Sequence, residues 1–293
     1  VDGLDVRRGG CAANIAFGLG VLGLNPVLIA AVGKDWVDYE SWLTRHGVIT
    51  SHVLVSETLH TALYMVTTDT ELNQIASFFP GAMSEARNIE LDPIMDKTGV
   101  FDLVIISPDD PDAMLRHTEL CRSRGIPFAA DPSQQMARMD GDSIKQLIDG
   151  ATYLFMNEYE LALAIQKTGW SDSEILNRVK TRVVTLGSNG AQVERVGQEK
   201  VVVGVPQEDA KIDPTGVGDS FRSGFLAGVA WGLSDERCAQ LGSMIATYVI
   251  ETKGTHEYRF TRETFLDRFK TAYGEAAASD IATHVARITT TPQ

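Results

Sequence analysis

The run Asp213-Pro214-Thr215-Gly216-Val217-Gly218-Asp219-Ser220-Phe221 holds the sharpest chemical signal in the sequence. Glycines at 216 and 218 admit backbone angles that side chains forbid. A turn of small residues can aim successive N–H groups into one concavity. The residues that follow, Phe221, Gly224, Phe225, Ala227 and Gly228, have the apolar, small composition of a buried helix. The loop therefore delivers its N–H groups at a helix N-terminus, where the dipole also favours an anion. Asp219 lies in the same turn. It could take a proton from a hydroxyl while the amides of Gly216, Val217 and Gly218 hold a migrating phosphoryl group. Taken by itself the loop has a plainer reading, in which Asp219 only caps the helix. It is not a Walker A loop, because no Gly-Lys-Ser/Thr follows.

Three further clusters could serve the same chemistry. Gly9-Gly10-Cys11-Ala12-Ala13-Asn14 opens a helix running through Leu22. Its glycines permit close approach of a ligand, and Asn14 could bond a sugar hydroxyl; helix entry alone also explains the glycines. Asn157-Glu158-Tyr159-Glu160 follows an apolar strand. Asn157 and Glu160, three apart, share a helical face and could orient phosphate oxygens and magnesium-bound water, or simply form a capping box. Thr185-Leu186-Gly187-Ser188-Asn189-Gly190 ends another strand. It could hold nucleotide phosphates or be an ordinary glycine turn.

The elements that must position these residues alternate. Leu103–Ile106, Pro127–Asp131, Tyr153–Met156 and Val183–Leu186 read as continuous apolar strands, with helices over Ala113–Arg124 and Ser143–Ile148. That pattern marks a parallel sheet covered on both faces, a doubly wound α/β fold with ligands at the carboxyl ends of the strands. Gly187–Val205 reads as a hairpin. Helices follow near Val217–Trp231, Asp235–Glu251, Glu263–Tyr273 and Glu275–Val285, and the Thr-Thr-Thr-Pro-Gln end reads as frayed. Residues 48–80 differ. His52–Ser56, Thr61–Thr68 and Gln74–Phe79 are β-rich runs with no helix between them. They predict a small antiparallel sheet, a lid over residues 1–47 and 81–293, or else an edge extension of the main sheet.

Composition narrows the class. Of 293 residues, 44% are hydrophobic and 22% charged, enough for a sizeable core. The net charge of −13 gives no basic footprint for nucleic acid, and no apolar stretch is long enough for a membrane helix. Cys11, Cys121 and Cys238 lie far apart and form neither a metal motif nor a disulfide framework, so a reducing cytoplasm is the expected compartment. The histidines (His46, His52, His60, His117, His256, His284) include no i, i+4 pair and read as surface or structural residues.

In their order along the chain, Gly-Gly-x-x-x-Asn, N-x-x-E, T-x-G-x-x-G and D-x-x-G-x-G-D resemble the ribokinase/PfkB family of small-molecule kinases over nearly the whole length. More narrowly, Gln74–Asn88 and Ala129–Arg138 are similar to the adenosine kinases of actinobacteria. The resemblance implies a ribokinase-like fold and transfer of phosphate from ATP, with Mg²⁺, to the 5′-hydroxyl of adenosine. Asp219 would be the base. Asn157, Thr185, Gly187, Gly190 and Gly218 would contact ATP, and Glu160 would hold Mg²⁺ through water. Gly10 and Asn14 would touch the ribose, Tyr64 and Phe78 would hold the purine between them, and Gln134, Gln135 and Arg138 would border the pocket. Asp213 and Thr215 fall where some members bind a monovalent cation, K⁺ being the one expected.

Two departures stand out. Val217 occupies a place usually held by Ala or Gly. The family's first strand, with a Gly and an Asp that touch the sugar hydroxyls, is expected to precede Val1. Alternatives are a kinase of the same family acting on ribose or fructose, which the lid aromatics disfavour, and a nucleotide-binding regulator without turnover. A homodimer through the small sheet is a further expectation.

Overall fold

The computed structural model describes residues 5–68, 74–285 and 288; the expected frayed end, 289–293, lies outside them. Helix α1 (Cys11–Val21) opens the described chain, followed by β1 (Ala31–Val32), α2 (Val37–Arg45), β2 (Leu54–Val55), β3 (Leu63–Thr68) and β4 (Gln74–Phe79). Next come α3 (Asp92–Thr98), β5 (Val104–Ile106), α4 (Pro111–Arg124), β6 (Phe128–Ala130), α5 (Gly141–Ile148) and β7 (Tyr153–Asn157). The chain continues through α6 (Glu158–Thr168), α7 (Asp172–Asn177), β8 (Thr181–Thr185), β9 (Ala191–Glu194) and β10 (Val201–Val203). It ends on α8 (Val217–Ala230), α9 (Asp235–Ile250), α10 (Arg262–Tyr273) and α11 (Glu275–Ile281). No described helix is long and apolar enough to cross a membrane.

The main sheet has the order β10-β9-β8-β7-β6-β5. Strands β5 to β8 are parallel; β9 and β10 add an antiparallel edge. The continuous apolar strands are explained by cover on both faces. Phe128, Ala130, Leu154 and Met156 pack with Met114, Ile144, Leu147, Ala164 and Ile175 of α4 to α7. The alternate residues Ala129, Phe155, Val183 and Val193 pack with Ile15 of α1 and Phe221, Phe225 and Ala239 of α8 and α9. This is the expected doubly wound, ribokinase-like arrangement.

Small residues bring α1, α8 and α9 close. A Cβ on Gly18 would collide with the side chain of Ser223, one on Gly224 with the carbonyl of Leu241, and one on Gly242 would lie 2.7 Å from the Phe221 carbonyl. The apolar, glycine-bearing helix read after Asp219 is thus a packing surface on two sides.

The lid segment departs from its reading. Strands β3 and β4 form a two-stranded antiparallel ribbon, with Tyr64 directly opposite Phe78. The 52–56 run does not join it. Leu54 and Val55 pair in parallel with Ala31 and Val32 in a separate small sheet. Alternation of apolar side chains cannot say which neighbour a short strand takes.

Candidate active site

Helix α8 starts at Gly216, which has a φ of 75° and provides no side-chain cap. Asp219 sits two residues into the helix and does not cap it. Among the described residues nothing accepts from the N–H groups of Gly216, Gly218 or Asp219, whereas the Val217 N–H contacts the Pro214 carbonyl at 3.4 Å. The open donors at this helix start are therefore Gly216, Gly218 and Asp219, with Val217 held by one long bond that a better acceptor could displace. A Cβ at 216 would lie 2.6 Å from the Thr255 methyl, so the close approach as well as the positive φ demands glycine.

Asp219 is met by α1. The Asn14 side-chain Nδ2 donates to Asp219 Oδ2 at 2.7 Å. Asn14 is itself buried, one turn into a helix whose N-terminal Gly10 has φ 99° and open space where a Cβ would stand. Burial raises the Asp219 pKa, opposed by the Asn14 bond and the Arg222 charge. Arg222 lies one turn along α8. It donates to the Gly218 carbonyl at 2.9 Å and pairs with Asp131 at 2.6 Å. Both side chains are buried, at 6% and 1% exposure. Asp131 directly follows β6, and burial pushes its pKa up against the pull of Arg222. Beside them lies Cys11; burial, with the Asp219 charge adding to it, raises its thiol pKa.

The other expected residues divide. Gln134 is exposed and reaches Cys11 Sγ at 3.7 Å, so it borders the same space. Gln135 does not. It is buried with Nε2 donating to the Asp109 carbonyl at 2.7 Å, tying its turn to the loop after β5. Arg138 is exposed, with no ion pair among the described residues. Asn157 and Glu160 form the capping box: Asn157 Oδ1 accepts from the Glu160 N–H and Glu160 Oε2 from the Asn157 N–H, each at 2.8 Å. Glu160 Oε1 accepts from Ser133 Oγ at 3.2 Å. Gly187 has a positive φ over open space, but a Cβ on Gly190 would strike the Val203 carbonyl. Gly190 is therefore required by the hairpin, whatever else it does. Thr185 closes β8 beside Asn157 of β7. Asp213 accepts the Thr215 N–H on one oxygen (2.9 Å) and the Gly254 N–H on the other (3.0 Å), a clasp between two loops. Tyr64 and Phe78, 61% and 39% exposed, lie side by side on one face of the ribbon. As cross-strand neighbours they form one shared surface and not two facing walls.

A family model described as "pfkB family carbohydrate kinase" matches residues 1–259. The chain belongs to this family. The nucleoside kinase of Methanocaldococcus jannaschii is 30% identical over 264 residues, covering 89% of this chain and 85% of its own. The solved structure of Burkholderia thailandensis nucleoside kinase in complex with inosine superposes with a TM-score of 0.88 at 33% identity, covering 94% of this chain and 91% of that one. The same enzyme in complex with ADP-inosine gives 0.86, covering 94% and 85%. These relatives carry generic nucleoside kinase names, so the narrower likeness to actinobacterial adenosine kinases is not carried over to this chain. What holds is membership of the PfkB family and a phosphotransferase activity.

Sequence reasoning missed the partners beneath this PfkB site. Asp131 marked only a strand end, Arg222 was one residue of an apolar helix, and His256 was counted among structural histidines. His256 Nε2 lies 2.9 Å from Asn14 Oδ1. A charged residue inside an otherwise apolar helix, one turn from a candidate base, is the signal that could have found Arg222.

Proposed function

We propose that the chain is an ATP-dependent nucleoside kinase that phosphorylates the 5′-hydroxyl of a purine ribonucleoside, adenosine first, to the monophosphate. The observation carrying this reading is the Asn14–Asp219 bond at the head of a helix whose first amides are open. The nucleoside names of the relatives at 30% and 33% identity support the substrate class. Asp219 removes the hydroxyl proton, and the amides of Gly216, Gly218 and Asp219 take up the charge of the phosphoryl group as it moves. Gly10, Asn14, Gln134 and Arg138 border the nucleoside, and the Tyr64–Phe78 face gives a flat base a surface to lie on. Gly187, Thr185 and Asn157 line the ATP side.

No cluster of His, Cys, Asp and Glu among the described residues is arranged to hold a metal directly. The donor set fits Mg²⁺ only as an ion arriving on the phosphates of ATP, with Glu160 reaching it through water. Bound there, it would neutralise phosphate charge. A monovalent cation near Asp213 and Thr215 remains part of the proposal, since each Asp213 oxygen accepts a single N–H and keeps a lone pair. The exposed ribbon edge also suits pairing with a second copy.

The test is ADP release with adenosine, inosine, ribose and fructose at equal concentration, for the wild type and Asp219→Asn. Adenosine should be preferred, and the variant should lose about 10²–10⁴-fold in kcat. Preference for ribose or fructose would move the reading to a sugar kinase; near-normal turnover by Asp219→Asn would remove the base.

A further inference from the structure

We propose that His256 is a positioning residue for the catalytic base: it locks the Asn14 amide in the orientation that offers an N–H to Asp219. This rests on the reading of Asp219 as the base. The Asn14 side chain has one donor end and one acceptor end. Its Nδ2 faces Asp219 Oδ2 at 2.7 Å, so its Oδ1 faces His256 Nε2 at 2.9 Å. An oxygen there requires a proton on Nε2, which leaves Nδ1 bare. His256 Nδ1 is buried and has no partner among the described residues. Buried N–H groups are orphaned less often than buried acceptors, so the bare Nδ1 agrees with this tautomer.

The flipped arrangement fails twice. It would press Asn14 Oδ1 against a carboxylate oxygen, and it would move the ring proton to the partnerless Nδ1. The plane of the ring is set by its packing. It lies parallel to Phe17, with centroids 4.1 Å apart and 5° between planes, and Tyr39 lies tilted against it at 5.4 Å. Tyr39 donates to the Gly9 carbonyl at 2.9 Å, with its oxygen 3.4 Å from Nε2. Burial depresses the His256 pKa to about 3, so the ring stays neutral and carries one proton to place. This chain of bonds holds Oδ2 and so sets how the carboxylate is turned toward the substrate hydroxyl, with the Cys11 thiol as its other side-chain neighbour.

The experiment is a double-mutant cycle. His256→Phe keeps a ring for Phe17 but has no donor; His256→Gln keeps a side-chain N–H. Thermal melts accompany steady-state kinetics. His256→Phe should lower kcat by about 10–100-fold, the scale of a slightly misplaced catalytic group, with a smaller change in nucleoside KM, and His256→Gln should recover most of the loss. In an Asn14→Ala background, His256→Phe should cost nothing further. Multiplying losses, or unchanged kcat in His256→Phe, would overturn the proposal. Nitrogen-15 NMR of His256 in the wild type needs neither a folded variant nor turnover. Protonated Nε2 with bare Nδ1 supports the lock, and the opposite tautomer refutes it. A wild type that shows the lock but phosphorylates no nucleoside would sink the kinase reading alone.

Discussion

Asp219, the proposed base, is a carboxylate buried at a cost in stability. Burial raises its pKa, and the Asn14 bond and the Arg222 charge only partly restore the ionised form. A carboxyl whose folded pKa lies above its unfolded value makes the fold less stable as pH rises from the unfolded value through the folded one. Asp219→Asn should therefore melt higher than the wild type at neutral pH, with the gap closing as the pH approaches about 4, the ordinary carboxylate value. Thermal denaturation across that range checks it; a variant that melts lower throughout would show that the carboxylate stabilises the fold. Catalytic turnover should fall on an acid limb lying above the usual Asp value for the same reason. Arg222 works at this scale too. Its charge sits among Asp131, Asp219 and Glu160, and all three hold it protonated.

Between elements, what positions Asp219 is the contact of α1 with α8 and of α8 with α9. Gly224 has no room for a side chain against the Leu241 carbonyl. Gly224→Ala should destabilise by about 1–3 kcal/mol through overpacking and lower kcat as the α8 N-terminus shifts; chemical denaturation and kinetics on one preparation test both. The elements themselves were legible. Apolar runs bounded by Gly and Pro gave β5 to β8, and Gly125, left-handed at φ 66°, ends α4 where the sequence stops it. The loop before α8 was legible because glycine spacing and a helix start are local signals. The partners of the loop were not. Asn14, Asp131 and His256 reach it only through tertiary packing, and no spacing rule links residue 14 to residue 219. The capping box at Asn157 shows the converse, a motif whose plainer local explanation is fully realised in the structure.

Across the whole molecule the ribbon is the part least held by the core. Leu63, Tyr64, Met65, Val66, Ile75, Phe78 and Phe79 are exposed on its two faces, more apolar surface than an isolated hairpin ordinarily leaves in water. Under the nucleoside reading, Tyr64→Ser with Phe78→Ser should raise KM for adenosine by about 10-fold or more, given about 1–3 kcal/mol for base–aromatic stacking. It should leave KM for ATP alone, since the same reading puts ATP against the ends of β7 and β8. An equal rise in both would place the aromatics in folding instead of recognition.

The bond between Asn14 and Asp219 joins positions 205 apart in sequence, and His256 closes the same group from further still. A polypeptide still emerging from the ribosome can have its strands, its loop glycines and even its aspartate, yet no competent centre. Under the kinase reading, products that terminate after Lys253 lack both His256 and the packing of α10 and α11, and should turn over far more slowly than the full chain.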